Sequence, residues 1–338
     1  MVKTIIELYI PYLLQMNNTG EHITVLCPVY NEEEHIEKVL DFFVKAQPQN
    51  KELLVIDGGS TDKTVSIVEK WMSEHSTIRL LHNPQQYVPY ALNMGIKNST
   101  GNPIIRIDAH TLYNEDYFTQ ILKTFETTKA DIVGGPMRAI GKTNFQKAVG
   151  ICSSTSFGVG NSQFHDPEKE GYVDSVYLGS WQRKVFDEVG LFDTQMKRNQ
   201  DDEFHYRAKS MGKRIYLNPQ IKSWYYPRNS MSKLFSQYFQ YGLYKPLVIK
   251  KVSSEVKLRH LIPSLFVSYL LFIPLLYLAI GYMAYSPLAL YLIFDMFFSV
   301  KNTENVSIAT LNSIVYPTMH ISYGLGFIVG ITKRVEKT

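Results

Sequence analysis

The feature that most constrains this chain is a repeated alternation of short apolar runs with amphipathic stretches between residues 21 and 135. Residues 23–27, 53–56, 78–81 and 104–107 have the length and apolar content of strands. Residues 32–46 set Ile36, Val39, Leu40 and Phe43 on one helical face, and further helices are predicted over 63–75 and 90–98. Strands alternating with helices imply βαβ units around a parallel sheet, with any ligand beyond the carboxyl ends of the strands. A chain of 338 residues has room for one such domain and additional elements.

The rest divides into two blocks. Residues 136–245 are less regular, rich in Gly, Asn, Gln and aromatics, and suit acceptor-facing loops on a rigid scaffold. Residues 246–338 form an apolar tail. Within it, 261–280 is long enough to span a bilayer despite Pro263 and Pro274, and 287–300, carrying Asp295, reads as a second tilted span or a half-buried helix. The stretch 311–331 has polar Asn312, His320 and Ser322, which suggests an interfacial or re-entrant helix. Lys245, Lys250, Lys251, Lys257 and Arg259 precede the first span, and Lys333, Arg334 and Lys337 end the chain. That bias points to a membrane surface and predicts a cytoplasmic catalytic domain with two crossings. Residues 1–20 read as a packed or interfacial helix; 5–14 is apolar but lacks the basic leader and cleavage site of a signal peptide.

Net charge is only +4 and no basic stripe with interleaved aromatics occurs, so nucleic acid is not an expected partner. The two cysteines, Cys27 and Cys152, lack metal-ligand spacing, which argues against a zinc site or a disulfide framework. Neither the dinucleotide fingerprint nor the P-loop pattern is present, which argues against hydride transfer and ATP hydrolysis.

Four motifs carry the chemistry. Cys27-Pro28-Val29-Tyr30-Asn31-Glu32 ends the first strand, since Pro28 cannot donate a ladder bond, and opens a helix near Glu32. Asp57-Gly58-Gly59-Ser60-Thr61-Asp62 ends the second; Ser60 or Thr61 can cap the next helix, leaving Asp57 free to accept from a nucleobase imide or a ribose hydroxyl. Asp108-Ala109-His110 follows the fourth strand, and in extended backbone Asp108 and His110 share a face where they could reach one Mn²⁺ or Mg²⁺ ion. Gln200-Asp201-Asp202-Glu203-Phe204 crowds three acids, which either raises a pKa or requires cationic partners. On a helix, Asp201 would share a face with Phe204 and His205.

In this order, with Ala91-Leu92-Asn93-Met94-Gly95-Ile96 and Gly179-Ser180, the motifs resemble the inverting glycosyltransferase family 2 over residues 22–245. The resemblance implies an α/β GT-A fold, Rossmann-like, with a C-terminal membrane-embedded helical segment. It divides the chain into 1–20, a catalytic domain 21–245 with nucleotide-sugar (21–135) and acceptor (136–245) halves, and a membrane region 246–338. Asp108-Ala109-His110, Arg198-Asn199-Gln200-Asp201-Asp202-Glu203 and Gln237-Tyr238-Phe239-Gln240-Tyr241-Gly242 are similar to the exopolysaccharide (succinoglycan-type) glucosyltransferases. Carried over, the resemblance implies nucleotide-sugar contacts at Pro28, Val29, Tyr30, Glu32, Asp57, Asn93 and Asp108. It implies a divalent metal on Asp108 and His110, with Asp201 as catalytic base. Gln237, Gln240 and Tyr241 fall where processive synthases carry Gln-x-x-Arg-Trp, and losing Arg and Trp favours addition of one sugar. Trp181 is either a stacking platform for an acceptor sugar or a core residue.

The implied function is transfer of a sugar, with UDP favoured, from a nucleotide-diphosphate donor to a hydroxyl of a lipid-linked glycan at the cytoplasmic membrane. Two alternatives stand beside it. A polyprenyl-phosphate sugar synthase needs no base, because its acceptor is already a phosphate. A non-catalytic membrane sensor or scaffold would have no use for an acid at position 201.

Overall fold

The computed structural model of the protein describes residues 22–252 and 257–333. The helix expected over 1–20 and the basic residues Arg334 and Lys337 lie outside the described residues.

Strands β1 (Ile23–Val29), β2 (Lys51–Asp57), β3 (Ile78–His82) and β4 (Ile104–Arg106) follow the apolar runs, joined by α1 (Ile36–Lys45), α2 (Thr64–Glu74) and α3 (Val88–Lys97). They run parallel in the order β3-β2-β1-β4. The pleat sends alternate residues of β1 to opposite faces. Ile23, Val25, Cys27 and Val29 pack with Ile36, Val39, Leu40 and Phe43 of α1. Leu26 points the other way, against Ala91, Leu92 and Ile96 of α3. Each buried Val, Leu, Ile or Phe among them contributes about 1.5–3 kcal/mol over remaining exposed, so the two apolar faces fix this half. Helix α3 lies so close to β1 that a Cβ at Gly95 would sit 2.7 Å from Leu26 Cδ2.

Two details differ from the sequence reading. Strand β1 continues through Pro28 to Val29, still in register with β2. Pro28 points to the β4 side, where pairing ends at Leu26 and Arg106, so its missing N–H breaks no ladder bond. Helix α1 begins at Ile36 rather than near Glu32, because Asn31 turns the chain at φ 53°.

Strand β5 (Thr111–Tyr113) and helix α4 (Tyr117–Thr128) lead into β6 (Ile132–Gly135) and β7 (Arg138–Ala139). Helices α5 (Asn144–Ser154) and α6 (Ser156–Val159) precede β8 (Gly171–Tyr172) and β9 (Tyr177–Trp181). Helices α7 (Lys184–Val189) and α8 (Gln200–Ser210), then β10 (Ile215–Leu217) and β11 (Ser223–Tyr225), complete the sheets. The order of the large sheet is β3-β2-β1-β4-β9-β6-β10-β8, with β9 antiparallel between β4 and β6; β5, β11 and β7 form a small second sheet. The irregular second block therefore returns three strands to the sheet begun by the first, so no architectural break falls at residues 135–136.

The C-terminal region comprises α9 (Met231–Lys251), α10 (Leu258–Ile280), α11 (Ser286–Lys301) and α12 (Val306–Gly330). Among the described residues, the 44-residue helical run Leu258–Lys301 is long and apolar enough to cross a membrane, and only 11% of its most apolar window is buried. It is not one rod. Helix α11 folds back on α10, with Phe266 and Tyr291 stacked at 4.3 Å and the Tyr269 hydroxyl donating to the Ala284 carbonyl at 2.8 Å.

Helix α12, expected from its polar residues to be interfacial or re-entrant, buries Asn312, His320 and Ser322. These side chains face protein: Asn312 donates to the Ser299 carbonyl at 3.1 Å, and the His320 ring bridges the Tyr291 hydroxyl at 2.8 Å and the Phe157 carbonyl at 2.9 Å. Glycines let it lie directly on α9. A Cβ at Gly242, Gly326 or Gly330 would overlap the carbonyl oxygen of Tyr323, Phe239 or Leu243 respectively.

Candidate active site

The site lies at the carboxyl ends of β1, β2 and β4 and the start of α8. The first two loops are hydrogen-bonded to each other: Asn31 N donates to Ser60 Oγ at 2.9 Å, Thr61 N to Asn31 Oδ1 at 2.8 Å, and Glu32 N to Thr64 Oγ1 at 2.8 Å. Ser60 and Thr61 thus join the loops instead of capping α2, where Asp62 Oδ1 accepts from Thr64 N at 2.9 Å. Asp57 is buried. Its oxygens accept from Gly59 N at 3.0 Å and Ser60 N at 3.1 Å, so it holds the turn and offers only its remaining lone pairs to a ligand. Tyr30 stands exposed at the rim, while Val29 is buried and contributes its carbonyl to Gly58 N at 2.9 Å.

Residues Asp108 to His110 lie in a turn past the end of β4, so the alternation of an extended strand does not govern their directions. The Tyr113 hydroxyl accepts from Asp108 N at 2.7 Å and donates to Asp108 O at 3.1 Å, which fixes this turn. His110 Nδ1 pairs with Glu32 Oε1 at 2.9 Å. That bond raises the imidazole pKa above its ordinary value against the opposing effect of burial.

The centre of the site is a side chain that the sequence reading passed over. Arg106, buried at the end of β4, donates from Nε to Asp108 Oδ1 at 2.9 Å and from Nη2 to Asp108 Oδ2 at 3.2 Å. Its Nη1 reaches both oxygens of Asp201, at 3.0 and 2.8 Å, across 95 residues of sequence. Burial opposes the charge, but Asp108 and Asp201 outweigh it and hold the guanidinium pKa above its ordinary value. The available signal was a lone charge in the apolar run Ile104-Ile105-Arg106-Ile107, two residues before Asp108.

The three consecutive acids of α8 resolve through separate cations. Asp201 pairs with Arg106, Asp202 with Lys245, and Glu203 with Arg207 at 2.7 Å. Burial pushes the Asp202 carboxyl up, but Lys245 overrides it and the pKa lies below the ordinary value. Phe204 and His205 anchor the helix in the core, whereas the Asp201 side chain keeps 31% of its surface exposed.

Several expected contacts fall elsewhere. Trp181 is fully buried, packed against Phe186, Phe192 and Phe204, so it is a core residue and not a sugar platform. Asn93 donates to Phe192 O at 2.8 Å and accepts from Phe192 N at 2.9 Å, which makes it a clamp between α3 and the chain before α8 rather than a free nucleotide contact. Gln237 and Tyr241 bond each other at 2.9 Å on the outer part of α9, and Asn199 Nδ2 donates to the Tyr241 carbonyl at 2.9 Å; Gln240 is half-buried beside them. The basic cluster before α10 is largely engaged inside the protein. Lys245, Lys251 and Lys257 pair with Asp202, Asp193 and Asp174, and Lys250 donates to the carbonyls of Ile331 and Lys333, both at 2.8 Å.

Asp108, whose oxygens each keep a lone pair beside Arg106, and His110 are the side chains here that could hold a divalent cation. Asp108 supplies a carboxylate, and Glu32 holds His110 through Nδ1, the pairing that leaves Nε2 for a metal. No group of three His, Cys, Asp or Glu side chains forms a cage among the described residues, so substrate oxygens would have to complete the shell.

A Rossmann-like sheet with acids beyond the carboxyl ends of its central strands, continued by an antiparallel strand, is the architecture of the GT-A fold. Residues 24–190 match the family model for Glycosyl transferase family 2. The chain is 32% identical over 240 residues to a Methanococcus voltae dolichyl N-acetyl-alpha-D-glucosaminyl phosphate 3-beta-D-2,3-diacetamido-2,3-dideoxy-beta-D-glucuronosyltransferase, covering 68% of this chain and 74% of that protein. It is 29% identical over 248 residues to the succinoglycan biosynthesis protein ExoA of Rhizobium meliloti (strain 1021), covering 72% and 75%. Among solved structures, the mannosyltransferase PcManGT from Pyrobaculum calidifontis, in complex with GDP-Man and Mn²⁺, superposes with a TM-score of 0.60 at 17% identity, covering 92% of this chain and 87% of that one. The chain belongs to glycosyltransferase family 2. It is a glycosyltransferase with relatives in polysaccharide and lipid-linked glycan biosynthesis.

Proposed function

We infer that the enzyme transfers one sugar, with inversion, from a nucleotide-diphosphate sugar to a hydroxyl of a lipid-linked glycan, in exopolysaccharide or capsule synthesis. The observation that carries this reading is Asp201: a partly exposed carboxylate, held by Arg106 to the Asp108 that follows β4. A deprotonated acid so placed can take the acceptor's hydroxyl proton as the new C–O bond forms and the bond to the diphosphate breaks. Attack opposite the leaving group inverts the anomeric centre, and one carboxylate suffices where glycoside hydrolases generally need two. Asp57 and Tyr30 would receive the nucleoside, Pro28 and Val29 the backbone side of the donor, and Gln237, Gln240 and Tyr241 the acceptor. Asp108 and His110 would hold Mn²⁺ or Mg²⁺, which when bound neutralises the leaving diphosphate. UDP-sugars are the preferred donors.

The folded-back α10–α11 pair would bring the site to the acceptor lipid, with the catalytic domain in the cytoplasm. Residues 246–338 then act as the membrane region. The named substrate of the M. voltae relative is itself a dolichyl-linked sugar phosphate, which supports a lipid-borne acceptor.

The test is release of nucleoside diphosphate by detergent-solubilised enzyme given UDP-, GDP- and dTDP-sugars, with Mn²⁺ or EDTA, with and without a lipid-linked glycan extract. Metal-dependent and acceptor-dependent release from one donor is expected. A product that is a sugar monophospholipid would replace this reading with the polyprenyl-phosphate synthase.

A further inference from the structure

We propose that Arg106 is the positioning residue for the base: its guanidinium aims the Asp201 carboxylate at the acceptor and sets it in register with the donor site at Asp108. This rests on the reading of Asp201 as base and adds the device that places it.

Three observations carry the argument. First, the fork spans both carboxylates: Nε and Nη2 grip Asp108 at 2.9 and 3.2 Å, and Nη1 grips Asp201 at 3.0 and 2.8 Å. A planar guanidinium with both carboxylates on its edges fixes their separation and relative tilt, as a lysine's single ammonium cannot. Second, Arg106 itself has little freedom. It is buried in the middle of the sheet at the last residue of β4, beside the β1 partner Leu26. Third, Asp201 is otherwise loosely held. It is the second residue of α8, which opens on Asn199 at φ 59° with no side-chain cap, and among the described residues its carboxylate otherwise accepts a 3.3 Å bond from Gln200 Nε2. The other two acids of that turn have partners that fix helices, Lys245 for Asp202 and Arg207 for Glu203. Arg106 thus ties the start of α8 to β4 and to the Asp108 that follows it.

The contact leaves the carboxylate competent. Asp201 Oδ1 accepts one N–H, from Nη1, and keeps a lone pair for the incoming proton, while Oδ2 accepts from both Nη1 and Gln200 Nε2. Proximity effects are steep enough that a displacement of about 1 Å can cost on the order of a hundredfold in rate, so a residue that only aims the base can still dominate kcat.

The experiment compares wild type, Arg106→Lys, Asp201→Asn and the double variant. The measured quantities are kcat, KM for acceptor and donor, donor-nucleotide affinity and melting temperature. Arg106→Lys keeps the charge and loses the fork; kcat is expected to fall roughly 10–100-fold, with acceptor KM and donor affinity within about threefold. In the Asp201→Asn background the same substitution is expected to change the residual rate by less than about threefold, because its target is gone. A general loss of structure would lower both backgrounds alike. Unchanged kcat in folded Arg106→Lys overturns the proposal, as does a full additional loss in the Asp201→Asn background. Donor affinity weakened more than tenfold with kcat intact also overturns it and makes Arg106 a donor contact. If Asp201→Asn alone turns over at the wild-type rate, the base reading fails together with this one; if Asp201→Asn is inactive and Arg106→Lys indifferent, only this one fails. Should the lysine variant be unstable, Arg106→Gln, which keeps an N–H donor without the charge, repeats the comparison.

Discussion

The donor half of the sheet and the C-terminal helices are both rich in apolar residues, yet they place them on opposite sides of their elements. In β1–β4 and α1–α3, Leu26, Leu40, Leu54 and Phe43 are sealed between two layers. In α10 and α11, Leu271, Leu278, Phe294 and Met296 point outward, with Leu278 81% exposed. The first region is stabilised by burial of its own side chains. The second is held by close glycine packing of α9 on α12, by polar bonds between helices, and by lysines reaching the acids of the catalytic domain. An apolar run therefore tells little about which way it faces; its period and the partners available decide.

Four substitutions sharpen that contrast. The largest effect belongs to the site: Asp201→Asn is expected to lower kcat about 10²–10⁴-fold while donor binding, measured by calorimetry, survives. Next, Leu40→Ala empties a fully buried position and should cost about 2–5 kcal/mol, read as a fall in the denaturation midpoint.

Third, Lys245→Met removes the cation that ties α9 to the acids of α8 and leaves Asp202 unpaired, a cost of about 1–3 kcal/mol. Its pH dependence has a definite sign. The folded Asp202 pKa is lower than the unfolded one, so the unfolded chain binds more protons in that window. The pair's contribution is full above the ordinary carboxylate value of about 3.9 and is lost as pH falls through the folded value. Melting temperatures of wild type and Lys245→Met should converge on acidification, and a gap that widens would refute the assignment.

The smallest effect is expected for Leu278→Ala, within about 0.5 kcal/mol in detergent, because this leucine faces outward. Leu40 and Leu278 are the same residue type in opposite settings. Equal losses at both would erase the distinction between the two regions.

The sequence by itself determined the parallel half of the sheet, the apolar face of α1, the order of the four motifs and the family. These follow from local periodicity and turn chemistry, which act over a few residues and are written directly in the chain. It also held Asp57, Asp108 and Asp201 as the acids to watch, although it could not say what each one touches. Only the tertiary structure decided that Trp181 is core, that Asn93 clamps residue 192, and that β9 enters antiparallel beside β4. It alone put Arg106 between two carboxylates and turned a basic cluster, read as facing the membrane, into a set of internal ion pairs. The physical reason is range: a charge is read from one position, but its partner stands 43 residues away for Lys245 and 95 for Arg106. No local pattern encodes such pairs, because they exist only once the sheet and helices have brought the two ends together.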